Sequence, residues 1–227
     1  ASVASSITET AGAVSRWLDV SGNGRHWYQP DTASAPVLRK NRLLMPAVDL
    51  TGGKFMSLAA PYIGNKKFSV FIVLDRTVAA TAYHSLGVLR ANGGNAAFGT
   101  GATPFFAGFF GSPPDPGSSR IQAGPRISAR RGTASSEPAG ALTAVTDGSG
   151  VAALAIKYQS VDQRPYNPPA GFDDPISIDR LGGDSVGLYL SSGAIAELAR
   201  WDRQLSGYEC TWLQVYAEGK WGGPVSG

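Results

Sequence analysis

Residues 17–26, which read WLDVSGNGRH, determine how the fold begins. Trp17 offers a large apolar surface that a protein core can bury. Asp19 follows two residues later and can accept amide hydrogen bonds from the turn after it, while Gly-Asn-Gly at 22–24 can adopt left-handed backbone angles. The segment therefore predicts a strand that runs into a tight turn.

A second segment, residues 193–206 (GAIAELARWDRQLS), comes near the other end of the chain. It predicts a strand over Ile195–Trp201 that leads into a helix. The helix begins at a capping box, because Ser206 is followed three residues later by Glu209. The helical period predicts one shared apolar face and a left-handed cap at Gly219 that ends the helix. The residues expected on that face are Cys210, Leu213 and Ala217.

Short apolar runs separated by turns fill much of the chain between these segments. The strongest run, Phe68–Leu74, is β-branched and aromatic and predicts a central buried strand. Asp147-Gly148 predicts a hairpin turn between two of the runs. Three long Gly- and Pro-rich segments predict loops, and both ligand-binding elements and tolerated insertions fit them. These segments are Ala91–Gly101, Gly111–Gly124 and Gln163–Asp174.

The composition indicates an all-β protein. Of 227 residues, 43% are hydrophobic and 16% are charged, which is typical of a folded chain, and 29 glycines and 15 prolines suit many short strands joined by turns. Strand spacing without long intervening helices favours a sandwich. We predict one domain over residues 13–222, preceded by an arm or linker at 1–12 and followed by a tail at 223–227.

Charge and hydropathy exclude several classes of partner. The formal net charge is +3, without the basic stripe that nucleic-acid binding requires. Arg120, Arg126, Arg130 and Arg131 form the densest basic patch, and we interpret it as a solvated loop. No apolar run is long enough to predict insertion into a membrane. The single cysteine, Cys210, is predicted to be a buried thiol.

The two end segments resemble the first and last strands of laminin-G-like domains of the bacterial and phage type, which have a concanavalin A-like fold. Residues 46–58 resemble the next segment of the family, with Leu50 in place of a more usual aromatic residue. The resemblance implies an antiparallel jelly-roll β-sandwich with one short C-terminal helix. It also implies that the two ends of the chain lie in one sheet.

The resemblance gives little indication of chemistry. Some relatives of the fold hydrolyse β-glucans with a Glu-x-Asp-x-x-Glu strand, and this sequence lacks that motif. Glu197 is the best single acidic candidate, flanked on its predicted strand face by Ile195, Ala199 and Trp201. A lone acid among apolar neighbours is typical of a structural hydrogen-bonding group. We therefore predict that the protein is not an enzyme.

A glycan site requires aromatic faces beside planar polar groups. Tyr166 is the first candidate, since it lies in a loop with Arg164 and Asn167. Tyr158 is the second, at the end of a predicted strand. His84 is a further ligand-binding candidate, and a histidine satisfied on the sheet face is the alternative interpretation.

No cofactor is predicted outright. Because laminin-G-like domains can hold calcium at a loop edge, the resemblance leaves calcium as an alternative, with Asp173, Asp174 and Asp184 as candidate ligands. Acidic residues in Gly-rich turns are equally typical of turn formation.

The sequence-based prediction of function is a non-catalytic domain that binds glycan or a surface polysaccharide. It would act outside the cell or on a virion surface. The alternative is a structural phage virion protein, a capsid decoration or tail component, which contacts other virion proteins or itself. A glycoside hydrolase or lyase is the third alternative.

Overall fold

The computed structural model describes residues 6–40, 46–63, 68–76, 89–90, 105–109, 119–123, 127–130, 139–146, 155–158, 161–163, 165–166, 177–182 and 193–221. Within these ranges the chain forms seventeen strands and one helix. They are β1 (Ile7–Thr10), β2 (Ala13–Trp17), β3 (Trp27–Tyr28), β4 (Val37–Lys40), β5 (Pro46–Asp49), β6 (Phe55–Ile63), β7 (Phe68–Arg76), β8 (Leu89–Arg90), β9 (Phe105–Phe109), β10 (Ser119–Ala123), β11 (Ile127–Arg130), β12 (Ala139–Thr146), β13 (Ala155–Tyr158), β14 (Val161–Gln163), β15 (Pro165–Tyr166), β16 (Ser177–Gly182), β17 (Gly193–Trp201) and α1 (Gly207–Trp221).

The strands form two antiparallel sheets. Thirteen strands belong to the larger sheet, in the order β14-β13-β12-β7-β17-β5-β4-β2-β3-β6-β16-β8, with β1 paired to β2. The smaller sheet has the order β15-β11-β10-β9. A twisted sheet with so many strands curls. The architecture is therefore a mainly antiparallel, curled β structure with one helix.

Strand β7 lies in the interior of the larger sheet, as its apolar run predicts. It pairs with β12 along one edge and with β17 along the other. Ser69, Phe71 and Val73 alternate along it and are buried. These side chains share the face that packs against the helix side of the sheet, with Phe71 and Val73 in the core cluster there.

The neighbouring strand β5 is buried on both faces. Ala47 belongs to the core cluster beneath α1, and the next residue, Val48, is also fully buried although it points to the opposite face. Val48 pairs with Ile195 of β17, which is fully buried as well. This part of the sheet thus has protein on both sides.

A register shift interrupts the pairing of β17 with β7. Ile195 pairs with Leu74 and Glu197 pairs with Val73, so Ala196 is an extra residue, as in a β-bulge. The bulge turns Glu197, Ala199 and Trp201 to the helix side of the sheet. Ile195 points to the other face, so the prediction that it flanks Glu197 is wrong.

The helix α1 begins at the predicted capping box. The Glu209 N–H donates to the Ser206 Oγ at 3.2 Å, and the Ser206 N–H donates to the Glu209 Oε2 at 2.8 Å. Cys210, Leu213 and Ala217 are buried against the sheet, which confirms the predicted face. Gly219 does not end the helix, since α1 continues to Trp221.

Some segments predicted as loops contain strands. Arg120 in β10 pairs with Arg130 in β11, so these members of the predicted basic loop occupy a sheet. Pro165–Tyr166, within the predicted loop 163–174, forms β15 and pairs with β11. Antiparallel pairing outweighs the weak strand preference of these residues. Within the predicted arm, residues 7–10 form β1.

The capping box makes stability depend on pH. The hydrogen bonds from Arg203 and then from Ser206 lower the pKa of Glu209 from 4.5 to about 2. Because the pKa is lowered by folding, the stabilisation is complete above pH 4.5 and is lost as the pH falls to about 2. We expect Glu209→Gln to lower the urea midpoint at pH 7, and its midpoint to approach that of the wild type as the pH falls below about 2.

The control for this experiment is Glu9→Gln, which changes an exposed glutamate in β1 and should leave the midpoint unchanged. Equal midpoints of Glu209→Gln and wild type at pH 7 would show that the cap does not stabilise the helix.

Alanine substitutions at two glycines distinguish the cost of backbone strain from the cost of a steric clash. Gly22 (φ 85°) and Gly182 (φ 98°) are both in the left-handed region. A Cβ at Gly22 meets nothing within 4 Å, whereas one at Gly182 would collide with the Lys54 carbonyl oxygen and lie 3.0 Å from the Leu50 Cδ2. We expect Gly22→Ala to cost about 1 kcal/mol from backbone strain and Gly182→Ala to cost clearly more. Urea unfolding followed by circular dichroism measures both, and equal losses would contradict the steric argument.

Candidate functional site

The turn after β2 is closed by the carboxylate of Asp19. Its Oδ1 accepts the Ser21 N–H at 2.8 Å, and its Oδ2 accepts the Arg25 N–H at 3.0 Å. The Asp19 N–H donates to the Nδ1 of His26 at 2.9 Å. These bonds confirm the predicted role of Asp19 in the turn and fix the start and end of the turn against each other.

The same contacts keep Asp19 ionised. Partial burial raises its pKa, but hydrogen bonds from the Ser21 side chain and from the Arg25 and Ser21 amides together lower it overall. Glycines on either side of Asn23 permit the tight path, with φ of 85° at Gly22 and 69° at Gly24. Asp19 therefore presents a fixed negative charge in the turn.

The turn lies beside strand β17, and together they line a cavity of about 370 Å³. This volume falls in the range of small-molecule sites. Residues 17–21 and 196–201 contribute most of the wall, so the cavity joins the two ends of the chain. This arrangement agrees with the expectation that the end segments lie close together.

Three tryptophans contribute to the cavity wall: Trp17, Trp27 and Trp201. Trp17 and Trp27 are directly paired across β2 and β3, and Trp27 pairs with Leu58 of β6. Directly opposite residues in antiparallel strands lie on one face. The three paired side chains therefore form an apolar row across three strands, which also belongs to the wall.

The part of β17 next to the cavity lies beyond its pairing with β5. Among the described strands, β5 pairs with β17 through Ala194 and Ile195, and from Glu197 to Trp201 the described partner is β7 on the other edge. The opening turn occupies the space beside this stretch of β17. The cavity therefore lies where the described pairing of β17 with β5 ends.

Glu197 lies in the cavity wall and accepts bonds from two donors on α1. The Tyr216 hydroxyl donates to Oε1 at 2.9 Å, and Lys220 Nζ donates to Oε2 at 3.0 Å. Lys220 also contacts the Tyr216 hydroxyl. The bulge at Ala196 places the carboxylate where these donors reach it. The contacts confirm the expectation of a hydrogen-bonding role for Glu197.

The two donors stay protonated at neutral pH. Partial burial raises the pKa of Tyr216, with the Glu197 hydrogen bond adding to this and the Lys220 bond opposing it. Burial lowers the pKa of Lys220, but hydrogen bonds to Tyr216 and Glu197 outweigh burial and raise it overall. The cluster is thus a carboxylate with two neighbouring proton donors.

The cavity also contains two arginines from opposite ends of the chain, Arg25 and Arg200. The side chain of Arg200 is 12% exposed, and its Nη2 lies 3.4 Å from the Oδ1 of Asp202. Burial and then the charge of Arg25 lower the pKa of Arg200 to about 10. Arg200 therefore stays charged at neutral pH, and Arg25 lies near enough for its charge to affect the pKa of Arg200.

The candidate site predicted from sequence is only partly within the described chain. Tyr158 is in β13, opposite Leu142, and Tyr166 is in β15, opposite Ser128, so the two tyrosines belong to different sheets. The other predicted ligand residues, His84, Arg164 and Asn167, lie outside the described residues, as do the predicted calcium ligands Asp173, Asp174 and Asp184.

Sequence reasoning did not identify Asp19, Arg25, Arg200 or Lys220 as site residues. The sequence did contain a signal for these residues, because segments 17–26 and 193–206 were expected to lie close together. Polar residues on two segments that meet are candidates for a shared site, whatever their separation along the chain.

Among the described residues, no group of three or more His, Cys, Asp or Glu side chains could hold a metal ion. No helix among the described residues is long and apolar enough to cross a membrane.

Comparison with known proteins gives a likeness in structure only. No protein-family model matches the chain, and no curated protein matches it. The laminin-G-like resemblance of the end segments is therefore not confirmed by a family match.

Solved structures of two glycoside hydrolases resemble the chain. With Trypanosoma rangeli sialidase in complex with a difluoro-KDN ligand, the TM-score is 0.62 at 11% identity, over 96% of this chain and 32% of the sialidase. With a GH54 α-L-arabinofuranosidase soaked with 4-nitrophenyl α-L-arabinofuranoside, the TM-score is 0.59 at 16% identity, over 89% of this chain and 50% of the enzyme. The sialidase has also been solved with sialic acid. At these identities the likeness establishes a shared fold, and the chain spans a third to a half of these enzymes.

These comparisons contradict the sequence-based prediction of a non-catalytic binding domain. They also contradict its alternative, a structural virion protein. The solved structures that share the fold are carbohydrate-active enzymes. The prediction was wrong because it required acidic residues at fixed spacing on one strand. The fold instead brings Asp19 and Glu197, from opposite ends of the chain, to one cavity.

Proposed function

We propose that the chain is a module of a carbohydrate-active enzyme of the glycoside hydrolase class, and that the cavity between the opening turn and β17 holds the sugar. The observation that carries this proposal is the composition of the cavity wall. It combines three tryptophans with two carboxylates, Asp19 and Glu197.

The aromatic residues suit the apolar face of a sugar ring. Trp17 and Trp27 lie side by side on adjacent strands, and Leu58 continues their row. Trp201 adds a third indole from the closing strand. Sugar sites combine such apolar surface with a few fixed polar groups, and the bonded opening turn supplies these polar groups on a rigid support.

The two carboxylates differ in their surroundings, as the two acids of a glycoside hydrolase do. Asp19 is held ionised by the amides of its turn, so it can stabilise positive charge that develops on the sugar ring. Glu197 is bonded to the Tyr216 hydroxyl and to Lys220. These two donors fix the position of Glu197, which would transfer protons between water and the glycosidic oxygen.

The finer assignment of the fold is also a proposal. We infer that the curled sheet closes as a concanavalin A-like, laminin-G-like jelly-roll sandwich, with a single domain over 13–222 between an arm at 1–12 and a tail at 223–227. The cavity supports it by joining the opening and closing segments. The proposed partner is a glycan, and an extracellular location goes with it.

The site residues predicted from sequence extend this proposal. Tyr158, Tyr166, Arg164, Asn167 and His84 remain candidates for further contacts to a longer glycan. In the same way, calcium bound by residues 173, 174 and 184 remains a prediction.

Hydrolysis of aryl glycosides tests the proposed activity. We expect the purified chain to release nitrophenol or methylumbelliferone from at least one member of a panel that includes an α-L-arabinofuranoside, a sialoside and a β-glucuronide. Asp19→Asn and Glu197→Gln should each lower kcat/KM about 10²-fold or more, since each removes one group from proton transfer or charge stabilisation.

Two matched controls carry the same chemical change outside the cavity. Asp31→Asn alters a carboxylate that also accepts turn hydrogen bonds, from the Ala33 N–H and the Ser34 hydroxyl. Glu209→Gln alters an ion-paired glutamate of the helix cap. Both should retain activity. Absence of release over the whole panel, or equal activity of all four folded variants, would contradict the proposal.

A further inference from the structure

We propose that the outer face of α1 carries a second sugar-binding surface, an aromatic platform formed by Tyr208 and Trp212. The platform would contact further units of a glycan whose end lies in the cavity. The inference rests on the proposed function, because it takes the cavity as a sugar site. It adds that the substrate is an extended glycan, an oligosaccharide or polysaccharide.

The face of α1 that points away from the sheet carries exposed rings. Cys210, Leu213 and Ala217 are buried on the opposite face, so α1 already has the apolar stripe that a surface helix packs against a core. Yet Tyr208 is 81% exposed and Trp212 is 55% exposed. Exposed apolar surface of this kind marks a site of interaction.

The platform belongs to a row of side chains that ends at the cavity. Residues four apart in a helix are neighbours on its surface. Four residues of α1 have this spacing and extend over about 18 Å along the helix: Tyr208, Trp212, Tyr216 and Lys220. Such a row is inclined to the helix axis, so it runs from exposed positions to partly buried ones. Lys220, the last member, lines the cavity and donates to Glu197.

Contacts within the row hold its rings in place. The Trp212 ring is stacked on the Tyr216 ring, with the centroids 5.6 Å apart and an angle of 13° between the planes. The Tyr216 hydroxyl donates to the Glu197 Oε1 at 2.9 Å, and its ring centroid lies 6.4 Å from that of the buried Phe71. Lys220 Nζ lies 5.0 Å from the Tyr216 ring centroid. Because Trp212 is already held, a ligand that binds it restricts little additional side-chain motion.

The chemistry of the row favours a glycan as its occupant. Sugar rings have apolar faces that fit aromatic side chains, and a row that continues into the cavity suits one chain of linked sugars. A protein partner fits less well. By themselves, Tyr208, Trp212 and the exposed Val215 offer less than the roughly 800 Å² that each partner buries in a stable protein complex.

Isothermal titration calorimetry of the full chain tests the platform without requiring catalysis. The probes are arabinan, arabinoxylan, β-glucan and polysialic acid, each compared with its constituent monosaccharides. We expect at least one polysaccharide to bind about tenfold or more tightly than its monosaccharides. Tyr208→Ala and Trp212→Ala should each weaken polysaccharide binding about tenfold, since each removes a ring that contacts a sugar. Trp212→Phe should restore most of the affinity, because it keeps a ring.

The matched control is Val215→Ala, which shortens another exposed apolar side chain of α1 and removes no ring. It should leave polysaccharide affinity unchanged, whereas it should weaken a contact with another protein. Tyr208→Ala replaces a side chain that is almost fully exposed, so the helix should keep its fold. Its affinity for monosaccharides should equal that of the wild type, because a single sugar unit occupies the cavity alone.

Equal polysaccharide affinity of the wild type, Tyr208→Ala and Trp212→Ala would overturn this inference and leave the proposed hydrolase intact. The same holds if no polysaccharide binds. A dimer in size-exclusion chromatography that both Trp212→Ala and Val215→Ala abolish would also overturn it, by showing that a second copy covers this face. Ring-dependent polysaccharide binding without hydrolysis of aryl glycosides would support the platform and contradict the proposed activity.

Discussion

The single extra residue in β17 is the constraint on which the site depends. Because Ala196 is inserted opposite β7, every later residue of β17 changes face. Glu197 turns toward α1, where Tyr216 and Lys220 meet its carboxylate, while Arg200 points to the other face of the strand. Without this bulge, Glu197 would point to the other face of the strand, away from Tyr216 and Lys220.

The opening turn supplies the second half of the site through one carboxylate. Asp19 accepts the Ser21 and Arg25 amides, which fixes the path of the turn. This turn and β17 line one cavity, next to the point where the described pairing of β17 with β5 ends. The backbones of Asp19 and Arg25 are thereby held beside β17.

The chain shares its fold with solved structures of glycoside hydrolases. Sialidase and GH54 arabinofuranosidase share the fold with this chain at 11% and 16% identity. At such distances the shared feature is the path of the backbone, and chemistry depends on the side chains grafted on it. In this chain the cavity wall contains tryptophans, two carboxylates and two arginines from segments that are far apart in sequence.

Local patterns in the sequence determined the central strand β7, the turn closed by Asp19 and the capping box of α1, because each depends on neighbours within a few residues. The end of α1 did not follow from sequence. Gly219 is accommodated inside the helix, and Lys220 beyond it is held by Glu197 on the sheet. The bulge at Ala196 and the strands β10, β11 and β15 were likewise set by pairing between distant segments. The cavity was decided by tertiary structure for the same reason: two segments must be folded against each other before Asp19, Arg25, Glu197 and Arg200 line one cavity.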